Sequence, residues 1–96
     1  MSRQIKHKES DSKGKFYMED EIGITSELRY STSENGVLII EHTETRIEFK
    51  GKGLASKLVK QSVEYVRENN LKIVPGCSYA KVNFERHEEY KDVLKQ

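Results

Sequence analysis

The sequence predicts an α+β domain: a mixed, mostly antiparallel sheet of four to five strands with one parallel strand-helix-strand crossover, packed by two helices. Three observations predict it. Residues 15–44 alternate in polarity around an Asn-Gly turn signal, a helical period takes over at Leu54, and a short apolar run, "LKIV" at 71–74, follows it and stops at Pro75-Gly76. A helix between two apolar strands leaves room for a crossover, and such crossovers are right-handed in nearly all cases.

Taken in order, the polar N-terminal region to residue 14 contains "ESDSKG", a turn-like cluster, so it reads as a short edge strand followed by a loop. "KFYME" (15–19) alternates through Phe16 and Met18, and "GITSELRY" (23–30) alternates through Ile24, Leu28 and Tyr30; these read as paired antiparallel strands. "STSENG" (31–36) supplies the turn before "VLIIEHTE" (37–44), a β-branched run with the character of a central strand.

From Leu54 onward Leu58, Val59, Ser62, Val63 and Val66 share one helical face, while Lys57, Lys60, Gln61, Glu64, Arg67 and Glu68 share the other. This is an amphipathic helix of about four turns. Asn69-Asn70 suits its end. A second helix is expected over 78–86, with His87 at its terminus and a last turn that brings Tyr90, Val93 and Leu94 against the body. His7 is expected on the surface.

Ninety-six residues are expected to fold as one domain spanning 1–96. The charge count, 17 Lys+Arg against 16 Asp+Glu, lacks the basic excess of a dedicated nucleic-acid binder. No apolar run approaches the roughly 20 residues of a membrane span, and the N-terminal segment lacks the apolar middle of a secretory signal. A cytoplasmic protein is the expectation. One cysteine, Cys77, rules out an internal disulfide or a multi-cysteine zinc site, and no metal is expected.

Parallel strands end at the same edge of their sheet, where ligands of α/β sheets bind. His42, Glu44, the turn "KGKG" (50–53) and Cys77 are expected to converge there. A helix N-terminus leaves about four amides unpaired and carries partial positive charge. Gly51 and Gly53 permit unusual backbone angles and keep side chains away from those amides, while Lys50 and Lys52 add charge. The turn therefore reads as an anion cradle. A plain tight turn is the alternative, since the segment matches neither the six-residue dinucleotide fingerprint nor the phosphate loop of nucleotide hydrolases.

His42 and Glu44 are expected on one side of their strand with Leu38 and Ile40 behind them. They are a candidate general base and its orienting carboxylate, or else strand-end groups satisfying the backbone. Cys77, at the start of a helix, is a candidate nucleophile or a small buried residue. Tyr79 is a candidate proton donor or a core aromatic. Asn83 and Arg86 flank a bound ligand's tail or stay solvated.

"KGKGLA" (50–55) resembles the pyrophosphate-binding signature of GCN5-related N-acetyltransferases, with Lys50 where Arg or Gln is usual and Gly53 and Ala55 in place. Together with "HTET" (42–45), "ENNLKIVPGCSY" (68–79) and "ERHEEY" (85–90), it resembles the small single-domain members of that family over roughly 37–94. The resemblance implies a GNAT-like acyl-CoA N-acyltransferase fold with strands splayed at their ends. It also implies transfer of an acetyl group from acetyl-CoA to an amine or thiol, with coenzyme A held by Thr43, Lys50, Gly51, Lys52, Gly53, Leu54, Ala55, Ser56, Asn83 and Arg86. Cys77, His42, Glu44 and Tyr79 would be catalytic, and strand-end amides would hold the oxyanion. The alternative is a CoA- or acyl-CoA-binding module without turnover. The implied partner is a small-molecule or peptide amine, neither nucleic acid nor membrane, and the protein is expected as a monomer or weak homodimer. Family members carry an N-terminal helical segment that builds the acceptor site; this sequence shows no helical period before residue 54.

Overall fold

A computed structural model describes residues 4–95. Five strands, β1 (Lys6–Ser10), β2 (Lys13–Glu19), β3 (Ile24–Thr32), β4 (Val37–Thr45) and β5 (Lys72–Pro75), lie in chain order across one sheet, antiparallel except for β4 and β5. Two helices, α1 (Leu54–Glu68) and α2 (Ser78–Arg86), follow β4 and β5, with 3-10 turns at Ile47–Phe49 and Glu88–Val93. Among the described residues no α-helix precedes Leu54, as the period implied.

The expected helical face is the buried one: Leu54, Leu58, Val59, Ser62, Val63 and Val66. They meet Phe16, Met18, Leu28, Tyr30, Leu38, Ile40 and Ile73 from the sheet, and α2 adds Ala80 and Phe84 to the same core. Burial of each aliphatic side chain contributes about 1.5–3 kcal/mol relative to exposure. The C-terminal segment is tied across this layer. Arg67 reaches Asp92 (Nη2–Oδ1 2.7 Å), and the Lys95 amide donates to the Ile73 carbonyl (2.9 Å).

One expectation changes at the N-terminal edge, and another gains detail. Instead of an edge strand and a loop, β1 turns tightly at Asp11, which adopts φ 54°, a left-handed angle that aspartate tolerates, and β2 begins at Lys13. His7 is exposed, as expected, but it is not without contacts. It stacks on Phe16 (centroids 4.2 Å), meets Tyr65 edge-on (5.0 Å) and bonds the Tyr30 hydroxyl, pinning an otherwise exposed strand. Burial pushes the Tyr30 phenol far above its ordinary range. Gly14 makes room for that ring, because an added Cβ would fall 2.5 Å from Tyr30 Cζ.

Candidate active site

The parallel ladder runs from Val37↔Lys72 to Ile40↔Pro75 and closes with the Gly76 amide donating to the Ile40 carbonyl at 2.8 Å. Beyond it β4 continues to Thr45 while β5 stops, so an opening forms between the strand ends. At the same point β4 shifts register. Tyr30 pairs with Ile40 but Arg29 pairs with His42, which leaves Glu41 as an extra residue, a β-bulge.

The bulge changes which side chains face the helices. Thr43 stands opposite Leu28 and shares the face of Ile40 and Leu38, whereas His42 and Glu44 stand opposite Arg29 and Glu27 on the other side. The simple two-residue alternation that placed His42 and Glu44 in line with Leu38 and Ile40 is interrupted by this one residue. The pair still faces one way together: His42 Nε2 lies 3.4 Å from Glu44 Oε1, and both are solvent-exposed. The Arg46 amide donates to the Thr25 carbonyl. Ladder alternation then aims the backbone groups of Glu44 and His42 at β3, and those of Thr43 and Thr45 at the opening.

The glycine turn has the geometry of a cradle. Gly51 and Gly53 take φ 82° and 78°, left-handed angles that favour glycine, and a Cβ added at either would meet nothing within 4 Å. Packing therefore does not explain either glycine. Gly53 is the N-cap of α1, which has no side-chain cap and no acidic residue in its first turn, so its leading amides are free to receive an anion. Thr43, Glu44, Thr45, Phe49, Lys50, Gly51, Gly53, Leu54, Ala55 and Tyr79 line one cavity of about 540 Å³ that joins this turn to the strand opening. Lys52 is exposed at the tip of the turn, outside that lining.

Cys77 caps α2: its Sγ accepts from the Ala80 amide (3.4 Å) and lies 3.9 Å from Thr43 Oγ1, on the helix side of the opening. Tyr79 is 39% exposed and lines the cavity, so its core alternative does not hold. Asn83 is buried. Its Nδ2 donates to Ser56 Oγ (3.4 Å) beside the first turn of α1, and its Oδ1 is enclosed with no partner among the described residues; Asn83 and Ser56 both lie outside the cavity lining. The Asn83 carbonyl accepts from His87 Nδ1 (2.7 Å), which makes His87 the terminal cap expected of it. Arg86 is exposed in the last turn of α2, outside the cavity lining.

Arg46 escaped the sequence reading. Its Nη2 bonds Asp20 Oδ2 (2.7 Å) and its guanidinium lies 5.1 Å from the Phe49 ring, fastening the β2–β3 hairpin to the approach of the glycine turn. The bond holds the Asp20 carboxyl below its ordinary value and raises Arg46 in turn. No short pattern announces a pair separated by 26 positions.

A family model described as GCN5-related N-acetyl-transferase matches residues 15–93. The chain belongs to the GCN5-related N-acetyltransferase family. A GCN5-like protein from Staphylococcus aureus, solved by NMR, is 38% identical, with 94% of this chain and 87% of that one aligned at a TM-score of 0.74. The fold of this acetyltransferase family member also matches an IAA acetyltransferase from Bacillus cereus (11% identity, TM-score 0.60, 78% of this chain and 53% of that one). A Bacillus anthracis protein solved in complex with acetyl coenzyme A and described as a streptothricin acetyltransferase matches at 15% identity and TM-score 0.59, over 80% of this chain and 46% of that one. No curated protein matches the sequence. No helix among the described residues is long and apolar enough to cross a membrane.

Proposed function

We propose that this protein transfers an acetyl group from acetyl-CoA to an amine or thiol, with Cys77 as the first acceptor. The observation that carries this reading is a cavity that joins an uncapped, glycine-lined helix N-terminus to the opening between β4 and β5; Cys77 lies outside its lining, next to the lining residue Thr43. Lys50 and the amides of 51–55 fit a pyrophosphate, and the outward backbone groups of Thr43 and Thr45 fit the amide-bearing arm. Acetyl-CoA supplies an activated thioester.

Cys77 forms a bond to the acetyl carbonyl carbon, the carbon–sulfur bond to CoA breaks, and the cysteine proton leaves on the CoA thiol, relayed in this scheme by the Tyr79 hydroxyl. Backbone amides at the opening steady the oxyanion. His42 and Glu44, on the other side of β4, serve the second half: an amine forms a bond to the carbonyl carbon of the acetyl-cysteine, His42 takes its proton while Glu44 orients the ring, the carbon–sulfur bond to Cys77 breaks, and the thiolate regains through solvent the proton that His42 releases.

Intact-mass measurement after incubation with acetyl-CoA tests the scheme. The wild type gains one acetyl group and Cys77→Ala does not, while both bind CoA. A wild type that acetylates an amine without ever gaining the increment refutes the covalent step, and one that binds CoA but does neither is a binding module.

A further inference from the structure

Four glycines of the described chain take positive φ, and Gly76 is not one of them. Gly76 is also exposed, so neither backbone conformation nor core packing explains it. Proximity does. A Cβ on Gly76 would lie 2.6 Å from the Ile40 carbonyl oxygen and 3.4 Å from Ile39 Cγ2, and the first of these is a backbone atom that cannot swing aside. The contrast with Gly51 and Gly53, whose added Cβ would meet open space, separates a glycine of close approach from glycines of conformation.

The close approach falls at a decisive place. The Gly76 amide makes the last bond between the parallel strands, to Ile40; on β4 the next residue is the bulged Glu41, and on the other side the next residue is Cys77. We propose that Gly76 is a positioning residue: by letting the β5–α2 junction close onto Ile40, it sets how far Cys77 stands across the opening from Thr43. The proposal rests on the acetyl-transfer reading for its consequence, though not for its geometry. Any side chain at 76 forces the junction away by roughly 0.4 Å or more, since contacts under 3.0 Å essentially never occur. That movement goes directly into Cys77 and the first turn of α2, whereas the glycine cradle at 50–55 lies on another segment. Gly76→Ala is therefore expected to separate catalysis from cofactor binding.

The test compares wild type, Gly76→Ala and Gly14→Ala. Gly14→Ala introduces an equally close contact, 2.5 Å to Tyr30 Cζ, on β2 and away from the opening. In Gly76→Ala the single-turnover rate of acetyl transfer at saturating acetyl-CoA falls about tenfold, as a misplacement of a fraction of an ångström implies. The CoA dissociation constant, followed by amide chemical shifts, stays within about threefold of wild type, the pattern of a transition-state rather than a binding defect. Gly14→Ala loses thermal stability but keeps the rate per folded molecule. A wild-type rate in Gly76→Ala, a parallel loss of CoA affinity, or an equal rate loss in Gly14→Ala would each overturn the proposal. Amide hydrogen exchange on the wild type needs no variant to fold: Gly76 N–H is protected, and exchange as fast as at Gly51 or Gly53 removes the bond on which the argument stands. If the wild type neither binds CoA nor transfers acetyl, the functional reading fails on its own. Alkylation of Cys77, faster in Gly76→Ala than in wild type, then still tests positioning, and equal alkylation rates sink it.

Discussion

Replacing Gly53 tests the cradle because strain and occlusion can be separated there. The residue sits at φ 78° and ψ 14°, and an added Cβ meets no protein atom within 4 Å. Valine at this position costs about 1–2 kcal/mol in left-handed strain, roughly 4–16 °C in melting temperature for a domain of this size. Asparagine tolerates the same angle, so Gly53→Asn should cost less stability while projecting a side chain into the same space. If the pyrophosphate lies there, both variants lose two or more charge-assisted hydrogen bonds, each worth about 1.5–3 kcal/mol. CoA affinity should then drop at least about a hundredfold in both. The assay is the CoA-dependent rise in melting temperature, which at a hundred times the dissociation constant reports about 2.7 kcal/mol of stabilisation. The rise should be clear in wild type and nearly gone in both variants. A wild-type response in Gly53→Asn would place the phosphates elsewhere and refute the cradle.

Lys50→Ala should weaken CoA binding about ten- to a hundredfold, the loss of one charge-assisted contact, and flatten the salt dependence of binding measured by titration calorimetry. His42→Gln should lower acetylation of the amine acceptor by about a hundredfold or more, while the acetyl increment on Cys77 and CoA affinity persist; loss of the increment instead would assign His42 to the first half-reaction. The Asp20–Arg46 pair should show in acid. Because Arg46 holds the Asp20 carboxyl below its ordinary value of 3.8, the pair's contribution is complete above that pH and disappears as pH falls through the lowered value. The urea midpoints of wild type and Asp20→Asn should therefore differ near neutral pH and converge in acid.

The helical face of α1 was legible residue by residue, because a period near 3.6 in a solvated helix is written directly into polarity. The antiparallel part of the sheet from β2 to β4 was legible for a related reason: the Asn35-Gly36 turn and the alternation around Phe16, Leu28 and Tyr30 are local signals. The glycine turn was legible as a turn, since two glycines at a strand-to-helix junction signal left-handed backbone angles, and Gly51 and Gly53 take them. What was not legible was the phase of β4 beyond Ile40. Glu41 looks like any outward strand residue, and only pairing with Arg29 and Tyr30 shows that it is supernumerary, so Thr43 rather than His42 comes to face Cys77. His7 was obscured similarly. Its neighbours in sequence are polar, and the rings it touches come from Phe16 and Tyr65, the latter on α1.

One atom of this protein is shared between two tasks. The Cys77 sulfur that faces Thr43 also terminates α2 by accepting from Ala80 N–H. Whatever is bonded to that sulfur draws on the same lone pairs that hold the first helical turn, and that turn carries Tyr79. A group added to the thiol therefore registers as a shift in the Ala80 amide resonance and as faster exchange of that proton. The helix becomes a built-in indicator of the occupancy of its own cap, readable by spectroscopy without a chromogenic substrate.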